Sequence, residues 1–205
     1  GGSGDRDGNF QIASAAYSLR SLGDRQATVA ATGDTVTAAN GKYVAQVRRS
    51  SDDTIKSFTA DEVNDGTLAA FCGSEDLTST IVYQADSQLS LNESDKSNFV
   101  VTYTDLDSSN RFLKFRKDDS FGNFGFGAYR LTFDATVTGD PVVSIARPNT
   151  DIVGTSTLSS GTASYSMTLT SNSQTISNFV FKFSTGGSDS GTLTVSNLKL
   201  EQLSC

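Results

Sequence analysis

Histidine and tryptophan are both absent from the 205 residues, and there are only two prolines, two cysteines and one methionine. Without histidine, the Ser-His-Asp and Cys-His arrangements of nucleophilic catalysis cannot form, and neither can a His-ligated zinc centre. Without tryptophan, the chain lacks the largest ring on which a sugar can be stacked. No apolar run approaches the ~20 residues that cross a bilayer, and no basic-then-apolar leader is present, so a soluble chain without membrane insertion is expected. Positive charge is also scarce: 16 Lys and Arg face 23 Asp and Glu, a formal charge of −7. Nucleic acids and anionic membranes need clustered cations to displace counterions, so neither is expected as a partner. The one basic cluster, residues 111–117, is followed at once by Asp118 and Asp119.

Two cysteines make no disulfide framework. Cys72 and Cys205 stand either as free thiols in a reducing compartment or as one bridge worth roughly 4–5 kcal/mol in the chain-entropy model. The apolar fraction is 36%, and the remainder is rich in Ser, Thr, Gly and Asp, a mixture that suits short strands joined by many turns. The length allows one large or two small domains with a real core. The opening Gly1-Gly2-Ser3-Gly4 carries no fold information.

Along the chain the first part reads as mixed. Residues 13–22 suit a short helix stopped by Gly23. Residues 27–37 and 43–49 suit two strands, and Asn40-Gly41 between them is a strong hairpin signal. Asp65 is placed to cap a helix over 66–71, closed by Gly73. From Leu77 onward the pattern is strand-like, with runs at 99–103, 111–116, 129–137, 142–145, 164–170, 178–183 and 192–200. Tyr129, Leu131, Phe133, Ala135 and Val137 alternate with polar neighbours as a strand with one dry face requires. Tyr165, Met167 and Leu169 repeat the stripe, as do Phe179, Phe181 and Phe183. The last strand changes register between Val195 and Leu198, which predicts a bulge near Ser196-Asn197. Pro141 and Pro148 bracket one short strand, where they cost no ladder bond. The expected fold is mainly β: an antiparallel β-sandwich, jelly-roll-like, with a small α+β N-terminal segment. The expected organisation is an N-terminal arm at 1–16, a small α+β segment with a hairpin at 17–75, and the sandwich at 76–205.

The segment 17–73 carries four blocks in order: Tyr17-Ser18-Leu19-Arg20 with Leu22, Val47-Arg48-Arg49-Ser50-Ser51-Asp52, Phe58 after Ile55, and Asp65 with Leu68, Phe71 and Gly73. This resembles a segment of phage tail and virion proteins that also occurs in the catalytic domain of a family of arabinofuranosidases. The next block of that family, Trp-Tyr-Asp-Gln, is replaced here by Ile81-Val82-Tyr83-Gln84, and no catalytic residue is carried over. Residues 127–202, with AYRLTFDATVTG, ASYSMTLTSNSQTISNFVFKFST and GTLTVSNLKLEQ, resemble the second half of jelly-roll carbohydrate-binding modules.

Three sets of site residues follow. Phe121, Phe124 and Phe126 lie in a Gly-rich stretch that either displays rings to a saccharide or folds them back over the end of the sandwich. Asp105 and Asp107, or Asp118 and Asp119, could give oxygen ligands to a structural calcium, with solvated loop acids as the plainer reading; no other cofactor is expected. Glycoside hydrolysis needs two carboxyls across one cleft. Glu62, Glu75, Glu93 and Glu201 fall in turn-like or terminal segments, and no pair is nominated. The resulting expectation is a non-enzymatic structural protein of a phage virion: a tail, fibre, adaptor or capsid-decoration subunit. It would meet other virion proteins and copies of itself, and would take part in host attachment. The alternative is a carbohydrate-binding module for a cell-surface or extracellular polysaccharide.

Overall fold

The computed structural model describes residues 43–107, 109–118, 124, 127–139, 142–146, 157–171, 179–184 and 190–205. The expected helix at 13–22, the strand at 27–37, the Asn40-Gly41 turn and both prolines lie outside them. Strands β1 (Tyr43–Arg48) and β2 (Ile55–Thr59) pair antiparallel. Helices α1 (Ala60–Asp65) and α2 (Thr67–Cys72) follow. Then come β3 (Ser74–Asp76), β4 (Ile81–Ala85), β5 (Leu89–Asp95), β6 (Asn98–Tyr103) and β7 (Arg111–Lys117). The rest is β8 (Gly127–Val137), β9 (Val142–Ala146), β10 (Thr157–Leu158), β11 (Gly161–Ser171), β12 (Phe179–Ser184) and β13 (Gly191–Leu203).

The strands from β3 onward make an antiparallel β-sandwich. One sheet has the order β10-β9-β12-β7-β4; the other has β11-β8-β13-β6-β5, with β3 also paired to β13. Between them lies one core. Tyr129, Leu131, Phe133, Ala135 and Val137 are all buried, as their alternation predicts, and they face Phe115, Phe181 and Phe183 of the other sheet. Tyr165 and Met167 join the same core. Phe181 sits among rings from both sheets, at 5.1 Å from Phe115, 5.3 Å from Phe133 and 6.3 Å from Phe99. The register of β13 against β8 shifts between Ser196 and Lys199, with Asn197 at φ 55°, so the bulge falls where the sequence places it. This shift lets Leu193, Val195, Leu198 and Leu200 all turn inward.

The α+β segment differs from expectation in strand β2, which pairs with β1, and in its first helix. A helix starts at Ala60, before Asp65, because Thr59-x-x-Glu62 is a capping box: Thr59 Oγ1 accepts from the Glu62 N–H and Glu62 Oε1 from the Thr59 N–H. Asp65, expected as the cap of the second helix, is instead the last residue of α1 and accepts from both the N–H and the hydroxyl of Thr67, while Gly66 is the N-cap of α2. Gly66, at φ 107°, makes the turn between the helices. A Cβ there would lie 3.1 Å from Arg130 Nη2. Thr59→Ala is expected to cost about 1 kcal/mol, read as a lower urea midpoint; an unchanged midpoint would mean α1 is held by its contacts alone.

This unit lies on the outer face of the six-stranded sheet. Val47, Phe58, Val63, Leu68, Ala69 and Cys72 pack with Ala128 and Leu203 in a second core. Asn64 Oδ1 accepts the Thr168 N–H at 2.8 Å, Thr168 Oγ1 donates to the Val63 carbonyl at 2.6 Å, and Ser166 Oγ donates to the Asn64 carbonyl. Arg130 bridges Glu201, the Asp65 carbonyl and Ser166. The expected boundary at 75/76 falls inside β3, whose residues Ser74, Glu75 and Asp76 already pair with β13.

Candidate functional site

Four motif residues of the first segment, Arg49, Asp52, Phe58 and Phe71, converge on one clasp, while the block at 17–22 lies outside the described residues. Arg49 Nη2 and Nε reach Asp52 at 2.7 and 3.1 Å, its Nη1 donates to the Phe71 carbonyl at 3.3 Å, and its guanidinium carbon lies 4.4 Å from the Phe71 ring centroid. Phe58 meets Phe71 edge-on at 5.5 Å. The Asp52 carboxyl is held far below the usual carboxylate range, first by the Arg49 side chain and then by Thr54. Asp52 is therefore a fixed anion inside a turn, with its oxygens occupied by the protein. The residues that carry the resemblance to virion proteins hold a fold together here.

Next to this clasp Cys72 is bonded to Cys205 across 133 residues. Of the two sequence readings, the bridge is the one present. The terminus is also held by its backbone: Ser204 N–H donates to the Gly73 carbonyl at 3.0 Å, and Ser50 N–H to the Cys205 carbonyl at 3.1 Å.

Of the three expected saccharide rings, only Phe124 lies among the described residues. Phe121 and Phe126 lie outside the described residues. Phe124 is only 5% exposed, packs edge-on against Tyr129 at 6.0 Å, and its carbonyl accepts the Tyr129 hydroxyl. It is a core ring because a Phe at the sandwich end gains more by covering Tyr129 than by facing water. Of the expected calcium ligands, Asp107 has its carboxyl engaged within the protein. Asp107 accepts from the Ser109 N–H at 2.9 Å and from Arg111 at 3.0 Å, and its carboxyl is held low by these partners in that order. Asp105 takes part through its backbone, with the N–H donating to Ser190 Oγ at 3.0 Å and the carbonyl accepting from Gln88 at 2.8 Å. Asp118, in the alternative pair, donates its N–H to the Thr80 carbonyl at 2.7 Å, and Asp119 lies outside the described residues. Among the described residues no group of three or more acidic or thiol side chains is placed to share a metal.

Three of the acids considered for hydrolysis, Glu62, Glu93 and Glu201, have partners within the protein. Glu62 is in the capping box. Glu201 lies in β13, well inside the fold, and binds Ser74 at 2.6 Å and Arg130 at 3.4 Å. Asp65, Asp95 and Asp134 all lie below the ordinary carboxylate range, foremost because Thr67, Asn98 and Ser164 donate to them.

A feature the sequence reading missed lies on the other side of the sandwich. The five strands of the β10-β9-β12-β7-β4 sheet contain no Asp or Glu, yet they hold Arg111, Lys114, Arg116, Lys117 and Lys182. Leu113, Phe115, Phe181 and Phe183 turn inward, so period-2 alternation sends Phe112, Lys114, Arg116, Val180 and Lys182 outward. The register places Lys182 beside Phe112, Val180 beside Lys114, and Val82 beside Arg116. Lys114, Arg116, Lys182 and Phe112 are half-buried, Val180 is buried, and Gln84 and Val82 are exposed. Arg116 donates to Gln84 Oε1 at 3.0 Å. Lys114 and Lys182 have no ion-pair partner among the described residues. The nearest acids in sequence stand beyond strand ends: Asp86, which accepts the Phe112 N–H at 2.9 Å, and Asp118.

No protein-family model and no curated protein sequence matches the chain. Solved structures similar to it include a family 29 carbohydrate-binding module, with a TM-score of 0.43 and 13% identity, covering 64% of this chain and 89% of that one. A variant of such a module complexed with mannohexaose gives 0.42 and 12%, covering 61% and 83%. Another, complexed with cellulohexaose, gives 0.41 and 14%, covering 61% and 82%.

Proposed function

We propose that the protein is a non-catalytic polysaccharide-binding module whose ligand face is the outer surface of the five-stranded sheet. The observation that carries this reading is the asymmetry of the sandwich. The small α+β unit lies on the outer face of the six-stranded sheet. Among the described residues, the opposite outer face carries exposed Gln84 and half-buried Lys114, Arg116, Lys182 and Phe112 around a buried Val180. Such a row can donate to sugar oxygens while aliphatic stems and a ring edge meet the apolar face of the sugar. Glycoside hydrolysis instead needs a carboxyl pushed up toward neutrality beside a second one. Asp52, Asp65, Asp95, Asp107 and Asp134 are pulled the other way.

The disulfide suits an oxidising setting outside the cell, where polysaccharides are met. A place on a phage particle, as its host-attachment part, is the second reading. Its support is the clasp of Arg49, Asp52, Phe58 and Phe71, built from the residues that resemble virion proteins.

Affinity electrophoresis of the purified chain through gels containing neutral and acidic polysaccharides tests the first reading. Retardation by at least one polymer, with no release of reducing ends on incubation, is expected. Unchanged migration in every gel would overturn it.

A further inference from the structure

We infer that the polymer bound on the five-stranded sheet is an acidic polysaccharide, whose carboxylate or sulfate groups are met by Lys114, Arg116 and Lys182. This rests on the polysaccharide reading above and narrows it. The chain as a whole is an anion, with a formal charge of −7, whereas the strands of this sheet carry cations and no carboxylate. By contrast, the strands of the six-stranded sheet include Glu75, Asp76, Glu93, Asp95, Asp134 and Glu201. Several of its charges pair internally, as Glu201 does with Arg130 and Lys199. Lys114 and Lys182 have no such partner among the described residues. An ammonium left half-buried and without a counter-anion costs desolvation that an incoming anion would offset.

The spacing fits a polymer. Lys114 and Arg116 share one face two residues apart on β7, and Lys182 lies on the adjacent strand opposite Phe112, diagonal to Lys114. Successive cations are thus about 7 Å apart along strand or diagonal, a line of charge that an extended polyanion can follow. Phe112 adds an apolar edge within the same row. Duplex nucleic acid is the less suitable anion. It carries a charge about every 1.7 Å and is held by many phosphate contacts, whereas this face offers three outward cations on a molecule that is acidic elsewhere.

The test compares polymers that differ in charge alone: polygalacturonate against its methyl ester, and dextran sulfate against dextran. A short DNA duplex is run beside them. Binding is measured by titration calorimetry at two salt concentrations, with the parent chain, the K114Q/K182Q double variant, and K199Q on the other sheet as control. Retention of the parent's urea midpoint establishes that the double variant is folded. Binding to at least one acidic polymer is expected to exceed that to its neutral counterpart. It is also expected to weaken with salt, and to fall roughly tenfold or more in the double variant, since charge-assisted contacts are lost; K199Q should bind as the parent does. Equal affinity for charged and neutral partners, with the double variant unchanged, would overturn the acidic ligand while leaving polysaccharide binding intact. No binding to any polysaccharide, neutral gels included, would remove the underlying reading as well. Tighter binding to the duplex than to either acidic polysaccharide would overturn the choice of polymer.

Discussion

Cys205→Ser is expected to lower the unfolding free energy by roughly 4–5 kcal/mol, the largest single effect available outside the core. The bridge closes a 133-residue separation, and in the chain-entropy model a loop of that size removes most of the freedom that the denatured chain would otherwise gain. The folded state itself should change little. Leu203 pairs with Ser74, Ser204 donates to the Gly73 carbonyl, and Ser50 donates to the Cys205 carbonyl whether or not the sulfurs are joined. Cys205 is also half-buried, so a Ser hydroxyl there still reaches water. Two readouts separate this account from a local packing defect. The urea midpoint should fall, and the denaturant slope should rise, because the released chain exposes more surface when it unfolds. Reductant should reproduce both changes in the parent and leave the variant unaffected. A loss below about 1 kcal/mol, well under the typical value for a native bridge, would mean that the denatured chain stays compact without it.

Phe181→Ala is expected to cost about 3–5 kcal/mol. The ring is fully buried and touches Phe115 of its own sheet and Phe99 and Phe133 of the facing one, so its loss opens a cavity where the two layers meet. The neighbouring residue supplies an internal control. Lys182 lies one position along the same strand on the opposite face, and Lys182→Ala should stay within about 0.5 kcal/mol, as a surface change does. The pair of urea midpoints therefore measures the pleat itself. Similar losses for both variants would mean that β12 does not present alternate residues to core and solvent.

The core stripes were the most legible part of the chain. In β8, β11, β12 and β13 the apolar residues recur every second position, and a strand half-buried in a sandwich tolerates no other pattern. The bulge at Ser196-Asn197 was readable for the same reason, since Val195 and Leu198 can both face inward only if one residue is added. Helix α1 was missed although Thr59 and Glu62 signalled it, because Thr59 also continues the strand-like run from Ile55. Strand β5 was missed because Leu89 and Leu91 alternate with polar residues for only a short stretch before Glu93, Ser94 and Asp95.

The cationic outer face of the five-stranded sheet had a different relation to the sequence. Its cations were visible, but along the chain the cluster at 111–117 runs straight into Asp118 and Asp119, and it read as self-neutralised. Strand pairing decided otherwise. It turns Lys114 and Arg116 to one side, leaves Asp118 beyond the strand end, and brings Lys182 alongside from β12. Phe124 went the other way, from a candidate for display to a ring packed on Tyr129. By itself, then, the sequence determined that this protein is an antiparallel β-sandwich and which side of most strands is dry, because burial acts on neighbouring positions in a fixed period. Which residues share the wet side, and whether Cys72 meets Cys205, only the tertiary structure decided, because those contacts join strands far apart in the chain and depend on the order in which the sheets assemble.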